Sequence, residues 1–266
     1  MLLPQVHSVR IATLDDLPRI AFVAASAFFW SPTFRYQRPH YGEYPKDTLA
    51  SYWNEYEESI RDPAYVVLVA EDFIETDEAD HVYEALKSAC RPSTPGRKVI
   101  VGLCSVLLKP GSSYTGHFQS TNSPESIHQF KHMDLKRDQC ADATKIYRSV
   151  MGPPKSRHLA GRMRLSTIAV APGYWRRGHA TRLVSFCTQL ADLDDALLGV
   201  SATPLGALLV AKAGFEECEI VRIDQSLVHR GPSEKSPNAV AVELWLGLRW
   251  PFGMSSGNAS QSASPE

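Results

Sequence analysis

The sequence predicts an α/β domain built on one mixed sheet with helices on both faces. Three observations predict it. From residue 163 onward, strand-like and helix-like segments alternate, an order that requires at least one parallel strand pair joined by a crossover helix. The chain also opens in this way, with a short strand-like run from Val9 to Ala12 followed by apolar residues at helical spacing. Finally, 266 residues of which 44% are hydrophobic suffice for a substantial core, and the chain shows no internal repeat or second apolar centre. A single domain over residues 8–250 is therefore expected.

Each element has its own signal. Asp15 precedes a helix whose buried face is Leu17, Ile20, Ala21, Val23, Ala24, Ala27 and Phe28. A second helix is predicted from Lys46 to Arg61, with Leu49, Tyr52, Trp53, Tyr56 and Ile60 on one face and Asp62-Pro63 ending it. Tyr65 to Ala70 and Val99 to Leu108 are short, β-branched runs that read as strands. Between them, residues 72–97 are expected to be a loop with a helical turn near Tyr83 to Ser88. Residues 109–162, rich in Ser, His, Lys, Asp and Pro, read as a larger insertion, either a solvated excursion or a lid. Then follow a strand at 163–171, a helix at 179–192, a strand at 196–201, a helix at 204–213 and strands at 215–224 and 239–246. The tail at 255–266, SGNASQSASPE preceded by Ser, is low in complexity and expected to be disordered.

Composition excludes several classes of function. A formal charge of -1 offers no global basic field for nucleic acid or an anionic membrane, so any anion site must be local. Cys90, Cys104, Cys140, Cys187 and Cys218 are odd in number and lack the close spacing of a zinc site or disulfide framework. Free thiols and no metal are expected. MLLPQVHSVR has no continuous apolar stretch, and no later run is long enough to span a membrane, so a cytoplasmic location is expected. The Asn258-Ala-Ser sequon would then be idle.

The chemistry concentrates at VAPGYWRRGHATRLV, residues 170–184. In the preceding MRLSTIAVA, Leu165, Ile168 and Val170 have the wrong parity for a regular strand. A β-bulge near Ser166 and Thr167 would set all three on one core. Such a bulge splays the strand from its parallel neighbour and leaves backbone groups free to bind an extended amide-bearing chain. After the Pro172-Gly173 turn comes a helix whose first N–H groups and dipole suit phosphate oxygens. Gly178 permits close approach, and Arg176 and Arg177 offer forked donors. No GxGxxG or GxxxxGK[ST] loop competes with this reading. A diphosphate cradle beside an amide-binding gap describes a pantetheine nucleotide.

The runs LSTIAVAPGYWRRGHATRLV and ATPLGALLVAKAGFEE resemble the core of the GCN5-related N-acetyltransferase family, particularly its fungal forms, over residues 163–217. The resemblance implies an enzyme that takes acetyl-CoA as acyl donor and transfers its acetyl group to an amine. It assigns coenzyme binding to the Ile168, Ala169 and Val170 backbone, and to Arg176, Arg177, Gly178, His179, Ala180 and Thr181. Trp175 stands where the family loop opens with Gln or Arg. Val210 replaces the tyrosine that often protonates the leaving thiolate, and Ser201 replaces a strand-end carboxylate.

Ser201 is the weak candidate for proton handling, with Thr203, His179 and Glu243 behind it. His179 is expected to face solvent, and Glu243 to sit on an exposed strand face. Family analogy sets residues 27–44 beside the acceptor groove, so Trp30, Phe34, Tyr36 and Tyr41 are candidates to line a pocket for a small-molecule amine. The alternative is that these rings close the core. Glu55, Glu57 and Glu58 read as a solvated helix face. Two functions remain: an N-acetyltransferase acting on a small molecule, or a non-catalytic acyl-CoA-binding module.

Overall fold

The computed structural model describes residues 2–89, 96–119, 136–223 and 242–253. Its strands are β1 (Val9–Ile11), β2 (Tyr65–Phe73), β3 (Lys98–Leu107), β4 (Met163–Val170), β5 (Leu198–Ala202), β6 (Glu216–Ile223) and β7 (Val242–Arg249). They form one seven-stranded sheet in the order β1-β2-β3-β4-β5-β7-β6. The β4–β5 pair is parallel, and the other neighbours are antiparallel. The helices are α1 (Leu17–Phe28), α2 (Pro32–Gln37), α3 (Pro45–Arg61), α4 (Glu84–Ala89), α5 (Ala141–Leu159), α6 (His179–Leu193) and α7 (Pro204–Ala211). The expected mixed sheet with one crossover, β4-α6-β5, is present.

Alternation in β2 separates the two layers. Val67 and Val69 pack with α1 and α3, in a cluster with Leu17, Ile20, Trp53 and Tyr56. Val66, Leu68 and Ala70 point the other way and pack with Leu183, Val184, Cys187 and Leu190 of α6. A third cluster joins Met151 and Leu159 of α5 to Val221, Leu244 and Leu246 of β6 and β7. Thus α5 covers the far half of the sheet, and a cleft opens between it and the α2–α3 pair.

The predicted bulge is in β4. Thr167 pairs with Ser105 and Leu165 with Val106, so Ser166 is an extra residue opposite β3. The insertion keeps Leu165 and Ile168 in one cluster despite their spacing of three. Val170 departs from the expectation. At the turn into Pro172 it packs with Ala169 and Ala171 in the other cluster.

The main correction concerns residues 109–162. Far from being wholly an excursion, they contain the 19-residue helix α5. Ala143, Ile146, Tyr147, Val150 and Met151 recur at helical spacing, but Gly152-Pro153-Pro154 reads as a break. The helix continues because packing of Met151, Pro154 and Leu159 offsets the lost backbone donors. The short helix α2 also falls within a segment expected to be a linker, whereas α4 coincides with the helical turn expected near Tyr83 to Ser88. The tail at 255–266, residues 239–241 of the last predicted strand and Cys90 lie outside the described residues. Cys104, Cys140, Cys187 and Cys218 are free thiols. No helix among the described residues is long and apolar enough to cross a membrane.

The β7 ladder imposes a close fit. Trp245 donates its indole N–H to Glu217 at 2.7 Å and lays its ring over Gly247, where an added methyl would overlap the ring. The Gly247→Ala variant is expected to lose about 1–3 kcal/mol, read as a lower denaturant midpoint with an unchanged slope.

Candidate active site

The site follows from the Ser166 bulge. Parallel pairing between β4 and β5 is confined to Met163–Leu165 with Leu198–Val200, and beyond Leu165 the strands part. The Ala171 N–H donates to Val101 on β3, so strand alternation turns the polar groups of Ala169 toward β3 and those of Ile168 and Val170 into the gap. The Val170 carbonyl already accepts the Trp175 indole N–H at 2.7 Å. Trp175, in place of the family's Gln or Arg, therefore ties the loop back to the strand. Its exposed ring meets that of Trp30 edge-on, with centroids 6.0 Å apart.

At the gap's far end, Gly178 caps α6 in the left-handed conformation, with φ 82°. An ideal Cβ there would meet nothing within 4 Å, so the turn has an open surface. No side chain caps this helix, and the N–H groups of its first turn, including those of Ala180 and Thr181, have no intrahelical acceptor. Arg176, also left-handed at φ 64°, is exposed. Arg177 is held at 2.5 Å by Glu75 and stacks over Tyr174. This arrangement of uncapped amides and adjacent cations fits a diphosphate, and the open strand edge fits a pantetheine arm.

His179 corrects an expectation. It does not face solvent, being only 2% exposed. Arg182 donates to its Nδ1 at 3.1 Å, and Arg can only donate, so Nδ1 is unprotonated and Nε2–H donates to Asp72 at 3.0 Å. Burial, helped by Arg182 and opposed by Asp72, holds its pKa below 6.5. Its side chain is committed inward.

Beyond the other end of the strand edge is a cleft of about 750 Å³ between α2, α3 and α5, floored by β3, β4 and β5. Ser201 and Thr203 line it, as do Ser105, Ser166 and Thr167. Tyr56 donates to Thr167 Oγ1 at 3.0 Å, whereas Ser105 Oγ is buried without a partner among the described residues. Of the aromatic candidates, Phe34 borders the cleft. Tyr41 packs into the α1–α3 core, Tyr36 against the α5 cluster, and Trp30 beside the loop. Glu243 pairs with Arg222 across β6 and β7. Val210 is buried in the α6-side cluster and presents no polar group there.

Glu55 and Glu58 were missed as site residues. Both are exposed, as expected of a solvated face, and that face borders the cleft. Glu55 is open to the cleft but crowded by protein, and that burial raises its carboxyl pKa, opposed by Arg38 and aided by Glu58. The sequence signal was the i, i+3 spacing on the same helix as Tyr52.

The buried neutral His179 has a consequence for stability. Between its depressed native pKa and 6.5, the unfolded chain binds a proton that the native protein does not. Stability present above 6.5 is therefore lost as pH falls toward the native value. His179→Gln should show less loss in denaturant midpoint between about pH 7.5 and about pH 5.5, above the main carboxylate titrations.

No family model matches the chain. A relative from Stachybotrys chartarum named acetyltransferase is 29% identical over 213 residues, spanning 80% of this chain and 82% of its own. Among solved structures, a histone acetyltransferase HPA2 and related acetyltransferase from Corynebacterium glutamicum superposes with a TM-score of 0.51 at 17% identity, covering 95% of this chain and 99% of that one. The Drosophila melanogaster polyamine N acetyltransferase gives 0.50 at 13% identity, covering 91% and 98%. With the bulged β4, its parting from β5 and the Gly178 turn in place, the chain has the fold of these acetyltransferases, the fold that the resemblance to the GCN5-related N-acetyltransferases implied.

Proposed function

We propose that the protein transfers the acetyl group of acetyl-CoA to the amine of a small molecule by direct attack on the thioester. The observation that carries this reading is the continuous path from the Gly178 turn, along the open edge of Ile168 and Val170, to a cleft lined by Ser201 and Glu55. The Gly178, His179, Ala180 and Thr181 backbone, with Arg176 and Arg177, holds the diphosphate. Ile168 and the Val170 N–H hold the pantetheine arm and orient the thioester. As the C–N bond forms and the C–S bond breaks, Glu55 takes the amine proton, directly or through water. Its raised pKa makes it a stronger base than a solvated carboxylate. Ser201 is the hydroxyl nearest in role to the missing tyrosine. The small-amine acceptor is supported by the cleft's size.

One observation favours the second reading, a non-catalytic acyl-CoA-binding module: Val210 is sealed in an apolar cluster where the family often has a phenol. The two readings share binding and differ in turnover. Calorimetric titration with acetyl-CoA, followed by thiol release with a pool of small amines, separates them. Amine-stimulated release supports the transferase, whereas binding without it supports the module. Gly178→Glu should abolish acetyl-CoA binding while leaving the circular dichroism spectrum intact. Glu55→Gln should retain acetyl-CoA affinity and lower amine-dependent turnover by about 10²-fold or more.

A further inference from the structure

The cleft's charges are sorted in a way that the reaction alone does not require. Arg38 is neutralised, since Asp138 and the Ser51 hydroxyl take its guanidinium. Lys155 and Arg164 are not. Among the described residues, Lys155 reaches only the Tyr147 hydroxyl, at 3.2 Å, and the face of that ring, while Arg164 reaches only the Ser166 hydroxyl, at 3.4 Å. Both line the cleft, and neither forms an ion pair with another described residue. The two cations oppose each other, because burial and Arg164 together lower the Lys155 pKa. Ser105, only 2% exposed, lines the same cleft, and its Oγ has no partner among the described residues. Two uncompensated cations beside an unsatisfied hydroxyl form a site that an anion would complete.

The coenzyme's phosphates do not serve this site. Arg164 lies six residues before Val170 on β4, about 20 Å of extended strand from the turn that receives the diphosphate. The anion must therefore belong to the acceptor. A pure polyamine or arylalkylamine would bring a third cation to Lys155 and Arg164. Glu55 and Glu58 on the α3 wall suit an ammonium, and Phe28, Phe34 and Tyr52 suit an apolar side chain. Resting on the acetyl-transfer reading, we infer that the acceptor is an amino acid-type molecule whose carboxylate sits between Lys155 and Arg164 while its amine faces Glu55.

The test uses the full chain and two pairs of probes. Phenylalanine and phenethylamine differ only in the carboxylate, as do their N-acetyl products. By calorimetry, N-acetylphenylalanine is expected to bind at least 10-fold more tightly than N-acetylphenethylamine. Lys155→Gln and Arg164→Gln should each reduce that ratio about 10-fold, with Arg164→Lys restoring part of it. In thiol release, phenylalanine should exceed phenethylamine in kcat/KM, and both variants should lower this preference mainly through KM. Retained acetyl-CoA affinity serves as the check that each variant is folded. If the two N-acetyl probes bind equally, or if neither variant alters their ratio, the inference is overturned. If the phosphonate analogue of phenylalanine displaces the carboxylate probe more strongly than phenylalanine does, the carboxylate assignment is overturned. Failure of acetyl-CoA itself to bind would strike the acetyl-transfer reading, while the product-probe titration would still decide the anion site.

Discussion

The structure depends on one inserted residue. Ser166 has no partner of its own on β3, and its insertion bends β4 away from β5 after three paired residues. That bend does several things together. It preserves the apolar side of the strand, so that Leu165 and Ile168 both face α6. It turns Arg164, Ser166 and Thr167 toward the cleft. It also leaves a strand edge inside the molecule, unpaired on one side, where a sheet would ordinarily be continuous. An interior edge of this kind is costly unless something with amide groups completes it.

The two ends of this gap differ in electrostatic design. At the α6 end the donors are mostly backbone groups, and the nearby side chains serve to hold them. Trp175 grips the Val170 carbonyl, Arg182 donates to the Arg177 carbonyl at 3.2 Å, and His179 is locked beneath the turn by Asp72. At the cleft end, side chains dominate, with carboxylates on the α3 wall and cations contributed by α5 and β4. The first arrangement suits a ligand common to many proteins of this fold. The second is written in the side chains of α3, α5 and β4, and α5 lies outside the stretch 163–217 that carries the resemblance.

This division explains what could be read in advance. Parity in MRLSTIAVA revealed the bulge, because a step of three between core positions cannot be met by a regular strand. The Gly178 turn was legible because a left-handed cap before an apolar periodicity has few other causes. The cleft was not. Its walls come from residues more than 100 positions apart, Glu55 and Arg164 among them, and nothing local marks such a pair. Pro153-Pro154 concealed α5, since the local penalty for proline outweighs periodicity until the packing of Met151 and Leu159 is known. The same limit led the inward His179 to be assigned to solvent and hid the cleft beside the exposed Glu55.

The strand order carries a consequence for how the molecule assembles. β7 lies between β5 and β6, so all five residues of β5 have as their antiparallel neighbour a strand that follows more than 40 residues later in the chain. Until β7 docks, the only strand that β5 pairs with is β4, over three residues. Contacts of such sequence separation form late, after the chain has borne the entropy of closing the intervening loop. The α1–α3 layer and the β2–β3 hairpin can organise first. The gap between β4 and β5 acquires its second wall only in the last stage of folding, so a nascent chain has the frame of the fold well before it has the groove.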